Sequence, residues 1–199
     1  AGIGTGGTLS GVAKYLKEPG LYVTLEEGPH NLWWNMQRFK WDLIPLERES
    51  LLKIVKFEPD ETGQPDFDSQ VKKIIDIAKQ MNAKRLVVDS ITAFAFWSND
   101  IGKIRHAIYI LIDELRKINC TTILTCETMG GKNELSRFGV EDFLADGVIV
   151  LHFKPPNRFF MIRKMRGTNH SKTLHPLEID DNGLHINSRE EVLWESLKD

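Results

Sequence analysis

Cysteine is nearly absent from this sequence, with only Cys120 and Cys126 in 199 residues. If both lie on one strand, a rise of about 3.3 Å per residue sets them roughly 20 Å apart, too far to bridge. The fold is therefore expected to do without a disulfide, as suits a reducing cytoplasm. Charge of one sign is also lacking: 26 Lys and Arg face 28 Asp and Glu, for a net charge of -2. The chain as a whole thus carries no footprint of a nucleic-acid or membrane binder, and any such binding has to be local. No apolar run reaches the ~18 residues of a membrane helix, and the first residues do not resemble a signal peptide. A soluble, cytoplasmic protein without membrane attachment is expected. There are no internal repeats, and His30, His106, His152, His175 and His185 show no zinc-ligand spacing with cysteine or carboxylate. What is present is a globular mixture, 41% hydrophobic and 27% charged. Its length suits one domain spanning residues 1–199.

Short, largely β-branched apolar runs at residues 21–25, 51–57, 85–88, 121–126 and 148–153 read as buried strands. Helical periodicity lies between them. Ile101, Ile104, Ile108, Leu111, Leu115 and Ile118 recur at three-and-four spacing behind the capping candidates Ser98, Asn99 and Asp100. Val71, Ile74, Ile75 and Ala78 mark a second such helix. Strands alternating with helices of this length predict an α/β fold around a mostly parallel sheet. After residue 153 the runs 159–165, 177–179 and 184–186 are separated by Pro, Gly and Asn turns, which predicts an antiparallel C-terminal extension. The polar stretch 59–69 reads as a surface excursion. Trp33 and Trp34 point about 100° apart on a helix, and core packing is the expected fate of each. The tail 188–199, with Val192, Leu193, Trp194 and Leu197 at helix-compatible spacing, is expected to dock on its own domain.

The chain begins AGIGTGGT. Glycines allow backbone N–H groups to converge on a phosphate with a helix N-terminus behind them. Against the P-loop pattern GxxxxGK[ST], Ala1 takes the first glycine position, Gly6 the second, Gly7 the place of the lysine and Thr8 the magnesium-binding hydroxyl. The candidate phosphate cradle is Gly4, Thr5, Gly6, Gly7 and Thr8. A flexible glycine-rich terminus would have the same composition, and the lysine is missing. A P-loop also follows a strand, whereas this sequence starts inside the loop.

Five blocks carry a resemblance: LYVTLEEGPHNLWWNMQRFKWDL at 21–43, RLVVDSIT at 85–92, TTILTCE at 121–127, RFGVEDFLADGVIVL at 137–151 and KMRGTNHS at 164–171. In this order, across almost the whole chain, they resemble KaiC and its archaeal single-domain relatives, P-loop ATPases of the RecA superfamily. The resemblance implies a RecA-like core whose ATP site lies at the C-terminal ends of the strands. In that family the helix after the phosphate loop is longer than residues 8–17 allow, by about one to two turns. Residues before Ala1 and around Gly6 and Gly7 are therefore expected in the molecule beyond those given. An intact mass of 22.8 kDa would refute this.

Asp89 follows the apolar run 86–88, where a carboxylate can hold a magnesium-bound water beside phosphates. It matches the family's Walker B aspartate, although an aspartate after a strand also serves as a turn or helix cap. Glu26 and Glu27 match paired glutamates that polarise the attacking water. One can point at the water while the charge of the other keeps it basic, and which of them is the base stays open. A capping pair before Gly28 and Pro29 is the plainer reading. Lys164, Arg166 and His170 match a strand and loop that reach the γ-phosphate of a neighbouring subunit. Guanidinium supplies positive charge in a fixed fork where negative charge builds, so Arg166 is the expected finger. Without the motif, Arg158, Arg163 and Lys172 nearby would make this a solvated basic strand. Thr125 and Glu127 end another strand, where they can sense the phosphate state.

The resemblance thus implies ATP and Mg2+ as ligands and a homo-oligomer, a hexameric ring, with sites shared between subunits. Two alternatives stand beside it. A RadA-like mediator would touch single-stranded DNA through residues 128–137, but only Lys132 and Arg137 are cationic there and no aromatic is available for stacking. A nucleotide-binding scaffold without turnover would explain Gly7. The clock role does not carry over, because the stretch matching the phosphoacceptor pair, Glu-Asp-Phe-Leu-Ala-Asp at 141–146, has no hydroxyl.

Overall fold

The computed structural model describes residues 18–37, 39, 41–57, 67–128, 137–139 and 141–193. The glycine-rich segment with Gly4, Thr5, Gly6, Gly7 and Thr8, the helix expected over 8–17, residues 129–136 and the end of the tail lie outside the described residues. The chain divides into two compact units, Ala1–Glu141 and Asp142–Asp199.

In the first unit, strands β1 (Gly20–Thr24), β2 (Leu52–Lys56), β3 (Arg85–Asp89) and β4 (Thr121–Leu124) form a sheet in the order β2-β1-β3-β4. Every pairing is parallel. The connections carry helices α1 (Pro29–Gln37), α2 (Ile44–Arg48), α3 (Phe67–Gln80), α4 (Phe94–Trp97) and α5 (Ile101–Lys117), with a 3-10 turn at Ile91–Ala93. Alternation along the strands sends Leu21, Val23, Leu86 and Val88 to one face, all buried. The apolar stripes of α3 and α5 pack on each other, and α5 lies along β4. On the opposite face Tyr22, Leu52 and Val87 cluster with Leu32 and Met36 of α1, Leu46 of α2, and Leu43. Burial on both faces explains why β1 and β3 read as continuous apolar runs rather than alternating ones, whereas β4, expected to be buried, has no buried residue.

Helix α5 starts where the caps place it: Asp100 Oδ1 accepts the backbone N–H of Lys103 at 3.1 Å, satisfying one of the first-turn donors. Its end is marked by Asn119 at φ 53°, a residue type that tolerates the left-handed region. Ile101, expected on the buried stripe, is exposed. Helix α3 begins at Phe67, inside the stretch expected to be surface, because Phe67 is buried and meets Phe94 edge to face at 5.4 Å. Trp33 packs against the core cluster. Trp34 does not: it is 66% exposed, since the next position on a helix turns away from the sheet.

The second unit holds most of the short helix α6 (Glu141–Leu144) and strands β5 (Gly147–Lys154), β6 (Asn157–Met165), β7 (His175–Asp180) and β8 (Gly183–Ile186). They form an antiparallel sheet in the order β5-β6-β7-β8. The extension after residue 153 is antiparallel as the turn signals predict. Strand β5, however, belongs to this sheet and is not buried on both faces: Val150 is buried while Ile149, Leu151 and Phe153 are exposed. In the tail, Val192 pairs with Leu174 as an isolated antiparallel bridge and Leu193 is exposed, so the described part of the tail is not helical.

Candidate active site

Because β1 and β3 are adjacent and parallel, with Thr24 opposite Asp89, the residues that follow them emerge side by side at the C-terminal edge of the sheet. Backbone bonds tie these exits together: Leu25 N–H donates to Asp89 O at 2.9 Å, Thr125 N–H to Val88 O at 3.1 Å and Ile91 N–H to Thr125 O at 3.0 Å. Above them opens a cleft of about 360 Å³ lined by Glu26, Glu27, Asp89, Ser90, Thr125 and Glu127, among others. Three stretches of sequence, following β1, β3 and β4, thus deliver these polar residues to one place.

Each acid in the cleft is held. Asp89 Oδ1 accepts the Thr125 hydroxyl at 2.6 Å and Oδ2 accepts the Tyr22 hydroxyl at 2.5 Å. Glu26 Oε1 accepts from Ser90 Oγ at 2.8 Å, which draws it toward the end of β3. Glu27 is fixed through its backbone, whose carbonyl accepts from Thr24 Oγ1 at 2.7 Å, and its Oε1 lies 3.4 Å from Asn35 Nδ2 on α1. The N–H of Glu127 donates to Thr92 Oγ1 at 2.9 Å, anchoring the exit of β4 on the buried 3-10 turn.

The cationic candidates lie in the second unit. Lys164 donates through Nζ to Asp142 O at 2.6 Å and Ala145 O at 2.8 Å. Arg166 pairs with Asp146 Oδ1 at 2.9 Å and donates to Phe143 O at 2.7 Å. Both cations therefore grip the turn around α6, Lys164 partly buried and Arg166 half exposed. Nδ1 of His170 lies 2.8 Å from Ser171 O. The structure brings Asp89, Glu26, Glu27, Thr125 and Glu127 together, and separately brings Lys164 beside Arg166.

The family model described as the KaiC ATPase matches residues 5–191. The chain belongs to the KaiC ATPase family. Among similar proteins, the circadian clock oscillator protein KaiC of Nostoc sp. is 34% identical over 199 residues, covering 92% of this chain and 38% of that protein. The KaiC of Synechococcus elongatus is 32% identical with the same coverage. The chain thus spans 38% of the length of these relatives. A crystal structure of a KaiC-like protein from the hyperthermophilic archaeon Pyrococcus horikoshii superposes with a TM-score of 0.78 at 38% identity, covering 89% of this chain and 79% of that one. The fold is accordingly the RecA-like α/β core of KaiC-like proteins.

For a KaiC-family site, the fit of a divalent cation can be judged from the donors. Among the described residues no group of three His, Cys, Asp or Glu side chains is arranged around a metal. Magnesium does not need one, because it keeps several waters and takes one or two carboxylates together with substrate phosphates. Asp89, a hard oxygen donor on the cleft wall, fits that mode. No described helix is long and apolar enough to cross a membrane.

Reading the sequence for acids and cations missed the groups that hold them: Tyr22, Thr24, Asn35 and Ser90. A signal for two of these was available. Tyr22 and Thr24 stand two and four residues after Gly20 on β1, and parallel registry puts them on the same face as Asp89. That inference requires knowing that β1 neighbours β3.

Proposed function

We propose that this chain is a single ATP-binding and ATP-hydrolysing domain that works in the cytoplasm within a homo-oligomeric ring, a hexamer, each site being completed by a neighbouring subunit. The observation that carries the reading is the meeting of Asp89, Glu26 and Glu27 at the C-terminal edge of a parallel sheet, the place where open α/β sheets take their ligands. In this reading the backbone of Gly4, Thr5, Gly6 and Gly7 cradles the phosphates. Thr8 and Asp89 face the magnesium side of the nucleotide, and Glu127 and Thr125 face the γ-phosphate. Bound with ATP, magnesium would be held by Thr8 and Asp89 and would neutralise phosphate charge.

The remaining work falls to this chain's side chains. Glu26, drawn toward β3 by Ser90, or its neighbour Glu27 accepts the proton of the attacking water. Lys164, Arg166 and His170 act on the γ-phosphate of the neighbour, where guanidinium offsets the charge that develops in transfer. To do so Arg166 exchanges its contacts to Asp146 and Phe143 for the phosphoryl group. Nothing in the stretch 141–146 can accept a phosphoryl group on a hydroxyl, so the oscillator's name stays with the relatives that bear it.

Mixed rings test the shared site. Arg166→Ala subunits and Glu26→Ala, Glu27→Ala subunits are each expected to be inactive alone. Mixing creates boundaries with both wild-type sets, and part of the hydrolysis should return. Mixed rings confirmed by native mass spectrometry, yet silent at every ratio, would refute a site completed in trans. Binding of labelled ATP without phosphate release by the wild-type chain would instead support a scaffold without turnover.

A further inference from the structure

Tyr22 is 3% exposed, and its ring lies among Leu32, Met36, Leu46, Leu52 and Val87. Phenylalanine would fill that cluster equally well and would bring no hydroxyl to desolvate. A buried phenol costs free energy unless its O–H finds a partner, and here the partner is Oδ2 of Asp89, 2.5 Å away on the adjacent strand. The other carboxylate oxygen accepts from Thr125 at the end of β4, at 2.6 Å. One donor therefore comes from the strand on each side of β3, one to each oxygen. A carboxylate held at both oxygens cannot rotate about its last bond.

We propose that Tyr22, together with Thr125, is a positioning residue that clamps the plane of the Asp89 carboxylate where it lines the cleft, and so sets the affinity of the site for a divalent cation. The inference rests on the reading of Asp89 as the metal-side acid. It adds a residue inside the apolar core that touches neither nucleotide nor metal. Outer partners of this kind orient a ligand that would otherwise sample several rotamers, and their loss commonly lowers metal affinity about 10- to 100-fold. Nucleotide affinity in the absence of metal should not depend on them.

The test uses the full chain with manganese as the probe. Binding of Mn(II) is followed by electron paramagnetic resonance with saturating ADP, and ADP binding is titrated separately in EDTA. Tyr22→Phe, which keeps the ring in its cluster, is expected to raise the Mn(II) Kd roughly tenfold and to leave metal-free ADP affinity unchanged. A purely structural role would lower the melting temperature without moving the Mn(II) Kd, and that result in a folded Tyr22→Phe chain overturns the proposal. If Tyr22→Phe does not fold, Thr125→Val beside Thr125→Ser carries the test: valine should lose affinity and serine should keep it, and equal Kd values for the two overturn the clamp. Asp89→Ala separates the failures. Weakened Mn(II) binding in Asp89→Ala with wild-type binding in Tyr22→Phe sinks only the clamp, whereas wild-type binding in Asp89→Ala sinks the metal reading and the clamp with it.

Discussion

The two sheets of this chain solve the same problem in opposite ways. In the parallel sheet, the central strands β1 and β3 are buried on both faces, and polar residues at their C-terminal ends converge. In the antiparallel sheet, β5 buries Val150 and exposes Ile149, Leu151 and Phe153, and polar residues are spread along the strands. The candidate acids lie in the first arrangement and the candidate cations in the second. Asp89 and Glu26 are held by side-chain hydroxyls, which orients them. Lys164 and Arg166 are held largely by backbone carbonyls around α6. A buried two-faced sheet concentrates chemistry at its edge, while a one-faced sheet lends out charges from its surface.

The contrast can be broken at several points. The largest effect is expected for Arg166→Ala: hydrolysis should fall by roughly 10³ to 10⁵, the scale of arginine fingers, with ATP affinity changed far less. Its pair with Asp146 is half exposed, and such pairs contribute about 0 to 1 kcal/mol, so the melting temperature should hardly move. A drop in ATP affinity as large as the drop in rate would show Arg166 to be a binding residue instead. Next comes packing. Leu111→Ala, at a position with no exposure, should cost about 2 to 5 kcal/mol in urea unfolding, while Leu151→Ala, 60% exposed, should stay within about 0.5 kcal/mol. Equal losses would mean that the β5 stripe is covered in solution. The smallest effect concerns the two cysteines that flank β4, neither in a disulfide. Burial holds the Cys120 thiol above its ordinary range, so its thiolate is scarce and iodoacetamide should modify Cys126 first. Cys126 lines the cleft, and ATP with magnesium should slow its modification while leaving Cys120 unchanged.

Strands whose residues are buried on both faces were legible to within one or two residues at each end, because a continuous apolar run has few other destinations. Asp89, Glu26 and Glu27 were legible because a carboxylate directly after such a run has to surface at the sheet edge. The start of α3 was hidden: the segment before it is polar, and only the tertiary contact of Phe67 with Phe94 recruits the first turn. The sheet to which β5 belongs was hidden too, since alternation with large apolar residues on both parities looks the same as a buried strand. Trp34 could not be placed, because a pair of adjacent tryptophans gives no helical phase by itself. Tyr22 stayed invisible for another reason. Its role depends on which strand lies beside β1, and strand order is a long-range property that local pattern does not encode.

The exposed stripe on β5 bears on how the protein has to be handled. Ile149, Leu151 and Phe153 stand at every second position on the outermost described strand of their sheet, 54%, 60% and 63% exposed. Such a row offers the apolar contacts through which strands of separate molecules adhere. Natural sequences restrain the tendency with charges near the hazard, and here the guanidinium of Arg158 lies 5.2 Å from the centre of the Phe153 ring. One cation at one end is a thin guard for three large side chains. Purified alone, the chain should scatter light increasingly with concentration and with salt that weakens repulsion between molecules, and Leu151→Lys should bring it back into solution.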